Sequence, residues 1–263
     1  MSFETLLYDV KDGVATVTFN RPEVMNATND VLFREMAGLI RTIADDDDIG
    51  CVIITGAGRG FCAGADVKSM NPDMPLLKRR QRHRWVIADI LRPLVILERP
   101  VIAAVNGAAV GAGFNIALAA DIIIASEAAI FSQIFTRLGL VPDLGGLHLL
   151  TRVVGLNKAK ELCFTAKKIS AAEALALGIA NHVVPGPKLL EEARKLAVEI
   201  AAGPQTTLAM IKSLLNMSSN STLEQMLEYE SYAQTIAFTT PEHREGVAAF
   251  REKRAPNFRA KRT

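Results

Sequence analysis

One pattern, stated twice, most constrains what this chain can fold into. A short run rich in β-branched residues, at 51–55 and again at 101–105, leads into a glycine-bearing loop, and each loop leads into a stretch that can be helical. The first loop reads Arg59-Gly60-Phe61-Cys62-Ala63-Gly64-Ala65-Asp66, the second Asn106-Gly107-Ala108-Ala109-Val110-Gly111-Ala112-Gly113. Continuous apolar runs of this kind suit strands buried on both faces in a βα-repeating core. Residues without bulky side chains let the backbone approach a ligand closely. A strand–glycine–helix junction aims free N–H groups, and the positive helix end, at an anionic atom. Two such junctions, if they converge, make a two-donor oxyanion hole. Taken alone, either loop reads better as an ordinary tight turn of an α/β protein.

The rest of the chain fits around this pattern. Residues 5–10 and 14–20 read as strands, with Asp12-Gly13 as the hairpin signal between them. Val31, Leu32, Met36, Leu39, Ile40 and Ile43 fall at helical spacing after the N-cap candidates Asn26, Thr28 and Asn29. The acidic run at 45–48 ends that helix and reads as a solvated loop, since nothing spaces its carboxylates around an ion. Another apolar run at 122–125 continues the strand pattern. Beyond Pro185 the signal is mostly helical, over 189–202, 205–217, 223–237 and 241–253. The expected division is an α/β core at 1–185 and a C-terminal helical region at 186–263.

Bulk properties remove several function classes. A net charge of +2 gives no global case for nucleic acid or a membrane surface, and no apolar run is long enough to span a bilayer. Met1-Ser2-Phe3-Glu4-Thr5 has neither a basic n-region nor an apolar h-region, so the expected location is cytoplasmic. Cys51, Cys62 and Cys163 are odd in number, show no metal-ligand pattern, and read as reduced packing thiols. His83, His148, His182 and His243 are scattered, and a surface or structural role is expected for each.

The two loops, with the C-terminal Arg244-Glu245-Gly246-Val247-Ala248-Ala249-Phe250-Arg251-Glu252-Lys253-Arg254, resemble the crotonase (enoyl-CoA hydratase/isomerase) superfamily, from Phe19-Asn20-Arg21-Pro22 to Asn257-Phe258. The resemblance implies a spiral of ββα units with C-terminal helices that assemble trimers or dimers of trimers. It implies an acyl thioester of coenzyme A as substrate and no separate cofactor or metal. It places the thioester oxygen between the N–H groups of Ala65 and Ala112, beside Gly111. Ala63 and Asp66 match an adenine-recognising turn, Lys68 a lysine beside the nucleotide, and Phe250 and Lys253 positions that reach a neighbouring copy's coenzyme A.

The same resemblance shows a departure. Hydratases of this family use two glutamates, and the matching positions here are Asn115 and Phe135, neither of which can be a general acid or base. One acid is left nearby, Asp143 in Gly139-Leu140-Val141-Pro142-Asp143-Leu144-Gly145-Gly146. That phrase is most similar to the ring-epoxide and enoyl-CoA isomerases that work with one aspartate. The expectation is an isomerase with Asp143 as proton shuttle, in a site lined by Phe135 with Phe114, Phe131 and Leu140 as contributors. The alternative for Asp143 is a helix cap. Asn115 is expected to contact substrate or to pack at its helix start, and Asp121 to be structural. Alternatives for the activity are a hydratase, or an aryl-CoA dehalogenase or hydrolase. A non-catalytic alternative is RNA binding through Lys78-Arg79-Arg80-Gln81-Arg82-His83-Arg84, against which stands the lack of interleaved aromatics. A solvated helix face, or a patch steering coenzyme A phosphates, is the preferred reading of that cluster.

Overall fold

The structure, a computed structural model, describes residues 3–259. Among the described residues, ten strands form two sheets. In chain order they are β1 (Leu6–Lys11), β2 (Val14–Phe19), β3 (Cys51–Gly56), β4 (Gly60–Cys62), β5 (Val101–Val105), β6 (Ala108–Val110), β7 (Ile122–Ser126), β8 (Ile130–Ser132), β9 (Ile169–Ser170) and β10 (His182–Val184). The larger sheet has the order β1-β2-β3-β5-β7-β10 and the smaller β4-β6-β8-β9. β1 and β2 pair antiparallel through the turn at Asp12 and Gly13, both of which adopt positive φ. Every other pair in the larger sheet is parallel.

The spiral arises because β3, β5 and β7 each pass through a short turn into the other sheet, as β4, β6 and β8. The chain thus climbs both sheets in step. Side-chain alternation explains why the runs are apolar throughout. Val52 and Ile54 of β3, with Val101, Ala103 and Val105 of β5, belong to the main core. Cys51, Ile53, Ile102 and Ala104 point to the opposite face, where Leu189, Ala193, Ala197 and Ala201 cover them. The helix Leu189–Ala201 therefore packs on the sheet, although it lies past the composition change at Pro185. The three later helices, Gln205–Ser218, Leu223–Thr239 and Pro241–Glu252, follow the expected segments closely.

Asp121 is structural. It accepts the Val101 N–H and pairs with Lys212 Nζ at 2.7 Å, pinning the helix Gln205–Ser218 to the start of β5. Burial raises its pKa and the ammonium of Lys212 opposes that rise. The acidic run ends the helix Asp30–Asp45 as expected, with Asn29 capping the Leu32 N–H. No cluster of metal-binding side chains occurs among the described residues. All three cysteines are free and buried, and burial pushes the Cys62 thiol up to about 12. No described helix is long and apolar enough to cross a membrane.

Candidate active site

The two glycine loops meet. Gly64 follows β4 with φ +93°, and a β-carbon there would lie 2.9 Å from the Val110 carbonyl oxygen and 3.7 Å from the Ala112 nitrogen. A β-carbon on Gly113 would stand only 2.0 Å from the Cys62 carbonyl oxygen. Glycine at these two positions is what lets one loop lie on the other. Ala65 forms an isolated parallel bridge with Thr28. Thr28 donates its N–H to the Gly64 carbonyl at 2.7 Å and accepts from the Asp66 N–H at 2.9 Å. Both bonds go to neighbours of Ala65, so its own N–H points the other way and has no acceptor among the described residues. Ala112 opens the helix Ala112–Leu118, where a first-turn N–H has no intrahelical partner. The preceding Gly111 turns at φ 55° and gives its N–H to the Ser132 carbonyl. Ala65, Gly111 and Ala112 all line one cavity of about 670 Å³.

Asp143 lines the same cavity. Its carboxylate does not cap the next helix: the helix Gly146–Val154 is capped by Gly145, with no side-chain bond. The Oδ1 atom is buried without a partner, and Oδ2 lies 3.9 Å from His83 Nδ1. Burial raises the carboxyl above the ordinary aspartate range, with His83 and Arg82 pulling the other way. Leu144 (φ 44°) and Gly145 (φ 73°) follow, two left-handed residues in succession. A buried leucine in that region is strained, by on the order of 1–3 kcal/mol. It holds the turn that presents Asp143.

Asn115 does not line the cavity. It is fully buried, donates from Nδ2 to the Asp143 carbonyl at 2.8 Å and accepts from Gln133 Nε2 at 2.7 Å. Gly146 lies so close that a β-carbon there would meet the Asn115 side chain at 2.4 Å. The expected substrate contact is thereby corrected: Asn115 braces the Asp143 segment from behind. Phe135 lines the cavity as expected, as does Leu140. Phe114 and Phe131 do not, since they pack on each other in the core with centroids 5.2 Å apart.

The basic cluster is also corrected in part. It lies on the helix Leu76–Val86, and Arg79, Arg82, His83 and Val86 face the cavity, at the spacing of one helix stripe. Arg82 pairs with Asp30 at 2.6 Å and lies over the Phe33 ring at 5.9 Å. Lys78, Arg80 and Arg84 are exposed. The helix continues through a π-turn at Ile87–Leu91 into Arg92–Val95. There Arg92 donates to the Ile87 carbonyl, and the next residue, Pro93, has no N–H to donate.

Ala63 and Asp66, which flank the Gly64-Ala65 turn, also line the cavity. Asp66 pairs with Arg21 at 2.9 Å and accepts the Lys68 N–H, while Arg21 also donates to the Ala27 carbonyl. Lys68 is exposed and outside the lining. Phe250 is 86% exposed near the end of the last helix, Lys253 terminates that helix in a left-handed turn, and neither reaches the cavity of its own chain.

A spiral α/β core in which two loop N–H groups without an acceptor among the described residues and the half-buried Asp143 carboxylate share one cavity marks a candidate enzyme active site. The sequence matches the enoyl-CoA hydratase/isomerase family over residues 9–261, and the chain belongs to that family. It is 39% identical to 1,2-epoxyphenylacetyl-CoA isomerase of Escherichia coli K12, over 98% of this chain and 99% of that one. It is 38% identical to a short-chain-enoyl-CoA hydratase of Clostridium acetobutylicum, over 97% of each. Among solved structures, an enoyl-CoA hydratase/isomerase of Cupriavidus metallidurans CH34 superposes with a TM-score of 0.92 at 37% identity, covering 98% of this chain and 97% of that one. Enoyl-CoA hydratase from Bacillus anthracis gives 0.93 at 32% identity, covering 98% and 100%.

Proposed function

We propose that this enzyme is a coenzyme A thioester isomerase that moves a double bond along an acyl chain with Asp143 as its one proton shuttle. The observation that carries this reading is the pairing of functions in one cavity. Two free N–H groups stand on one wall and the half-buried Asp143 carboxylate on another; the other cavity carboxylates, Asp30 and Asp66, are paired with Arg82 and Arg21, and Asn115 and Phe135 hold no acid. The thioester oxygen sits between Ala65 and Ala112. Asp143 takes a proton from the acyl chain, the electron pair delocalises onto that oxygen, and the carboxyl returns the proton two carbons away. Each N–H aimed at the oxyanion contributes about 2.7–4 kcal/mol in the transition state. Phe135, Leu140 and Val141 keep water from the dienolate.

The turn at Ala63–Asp66 receives the nucleotide portion of coenzyme A, with Lys68 beside its phosphates. Phe250 and Lys253 act on a neighbouring copy's ligand in a trimer or dimer of trimers. Exposed apolar side chains on the late helices, among them Leu227, Tyr232, Ile236 and Phe238, support such an assembly.

The test compares the wild type with Asp143→Asn on a 3-enoyl-CoA, following conjugated enoyl-thioester absorbance and product mass. Isomerised product of unchanged mass that disappears in the variant is the expected result. A product heavier by one water would replace this reading with the hydratase one. Release of free coenzyme A or of halide from an aryl thioester would point to hydrolase or dehalogenase chemistry.

A further inference from the structure

We infer that His83 is the proton outlet of the site, connecting the Asp143 carboxyl to bulk water. The inference rests on the isomerase reading above and concerns where the shuttled proton goes between its two carbon atoms. His83 Nδ1 and Asp143 Oδ2 both line the cavity and are 3.9 Å apart, a gap that a small side-chain rotation or one water closes. The other carboxylate oxygen, Oδ1, is buried without a partner. The side chains of His83 and Asp143 are 48% and 34% exposed, so the imidazole stands on the solvent side of the pair.

Elimination among the cavity-lining residues leads to the same group. Arg79, Arg82 and Arg137 stay protonated and accept nothing. Asp30 is held by Arg82 and Asp66 by Arg21. His83 is the remaining proton acceptor beside Asp143 among the described cavity residues. It is placed there by its helix, whose stripe of Arg79, Arg82, His83 and Val86 forms that wall.

The steps balance without another reactant. The acyl C–H bond breaks, Asp143 Oδ2–H forms, and the electron pair moves to the thioester oxygen. The Oδ2–H proton then either goes directly to the distal carbon or passes to His83 Nδ1, making an imidazolium that releases its Nε2 proton to water. The reverse transfer delivers a solvent proton to Oδ2 and from there to carbon. His83 therefore sets the partition between internal return and exchange with solvent.

The experiment runs the isomerisation in deuterium oxide and counts deuterium per product molecule by mass spectrometry, for the wild type and for His83→Ala, with and without added imidazole. The wild type should carry solvent deuterium into product. His83→Ala should lower deuterium per product at least about threefold, and free imidazole entering the vacated space should restore it. A role in packing alone would alter the rate but leave deuterium per product unchanged, and that result overturns the inference. Wild-type product free of deuterium also overturns it, while the isomerase reading stands. Failure of the wild type to isomerise any enoyl thioester overturns the isomerase reading and this inference together.

Discussion

The two walls of the cavity are built from different materials. The wall we propose as the donor wall, Ala63–Ala65 with Gly111 and Ala112, is backbone: what it offers a ligand is amide N–H groups, and glycines set their position. The opposite wall, His83 and Asp143, is side chain, held by a buried amide network behind Asp143 and by the stripe of a helix. A backbone donor is indifferent to side-chain identity provided the fold is kept. A carboxylate base depends on its own chemistry and on every group that desolvates or orients it. One wall should therefore tolerate substitutions that the other cannot.

The sharpest contrast comes from Asp143→Asn, which should lower kcat by about 10²–10⁴-fold with substrate binding retained. Isomerisation at near wild-type rate in that variant would move the chemistry to a group other than Asp143. Next is Ala112→Pro, which deletes one N–H at a helix position that accepts proline, and should cost about 10²–10³-fold in kcat while the fold survives. Asn115→Ala strips Gln133 and the Asp143 carbonyl of their partner, so urea unfolding should show a loss of about 1–3 kcal/mol. Ala65→Ser keeps its N–H at an exposed position, and kcat/KM should stay within about threefold of wild type. A large loss there would mean that the donor wall is not purely backbone.

The pH response sets activity against stability on the side-chain wall. Asp143 works as a base only when ionised, so kcat/KM should fall as pH drops through a value above the ordinary aspartate range. Stability should run the other way. Between the unfolded pKa and the raised folded pKa the folded state holds a proton that the unfolded state has released, so stability decreases as pH rises through that window and then levels off. Asp143→Asn should remove this limb and raise Tm at neutral pH, measurable by thermal scans.

The difference between the walls also explains what could be read from sequence. The meeting of the two loops was legible because glycine spacing after a strand reports backbone geometry directly, and Gly64 and Gly113 stand where the loops touch. Asp143 was legible as an acid in a turn. Asn115 was not resolved between ligand contact and support, because its partners, Gln133 and the Asp143 carbonyl, come from segments distant in sequence. Phe114 and Phe131 were expected near substrate, but the spiral turns them into the core. His83 was expected in a surface or structural role and is exposed, yet it also lines the cavity, and Arg79, Arg82, His83 and Val86 carry a helix-stripe spacing that would have grouped them. Which way that stripe faces depends on docking against the rest of the molecule, which local pattern does not encode.

The π-turn at Ile87–Leu91 sits between that stripe and the buried anchors Leu94 and Leu97. An α-helix advances by about 100° per residue, so the extra residue accommodated in the wide turn sets the rotational phase of everything before it. Losing or gaining one residue there would turn the segment carrying Arg79, Arg82 and His83 by about 100° against a core that stays put. A different row of side chains would then face Asp143. In this fold a single-codon insertion or deletion, far from the oxyanion donors, can exchange a whole wall of the reaction chamber at once.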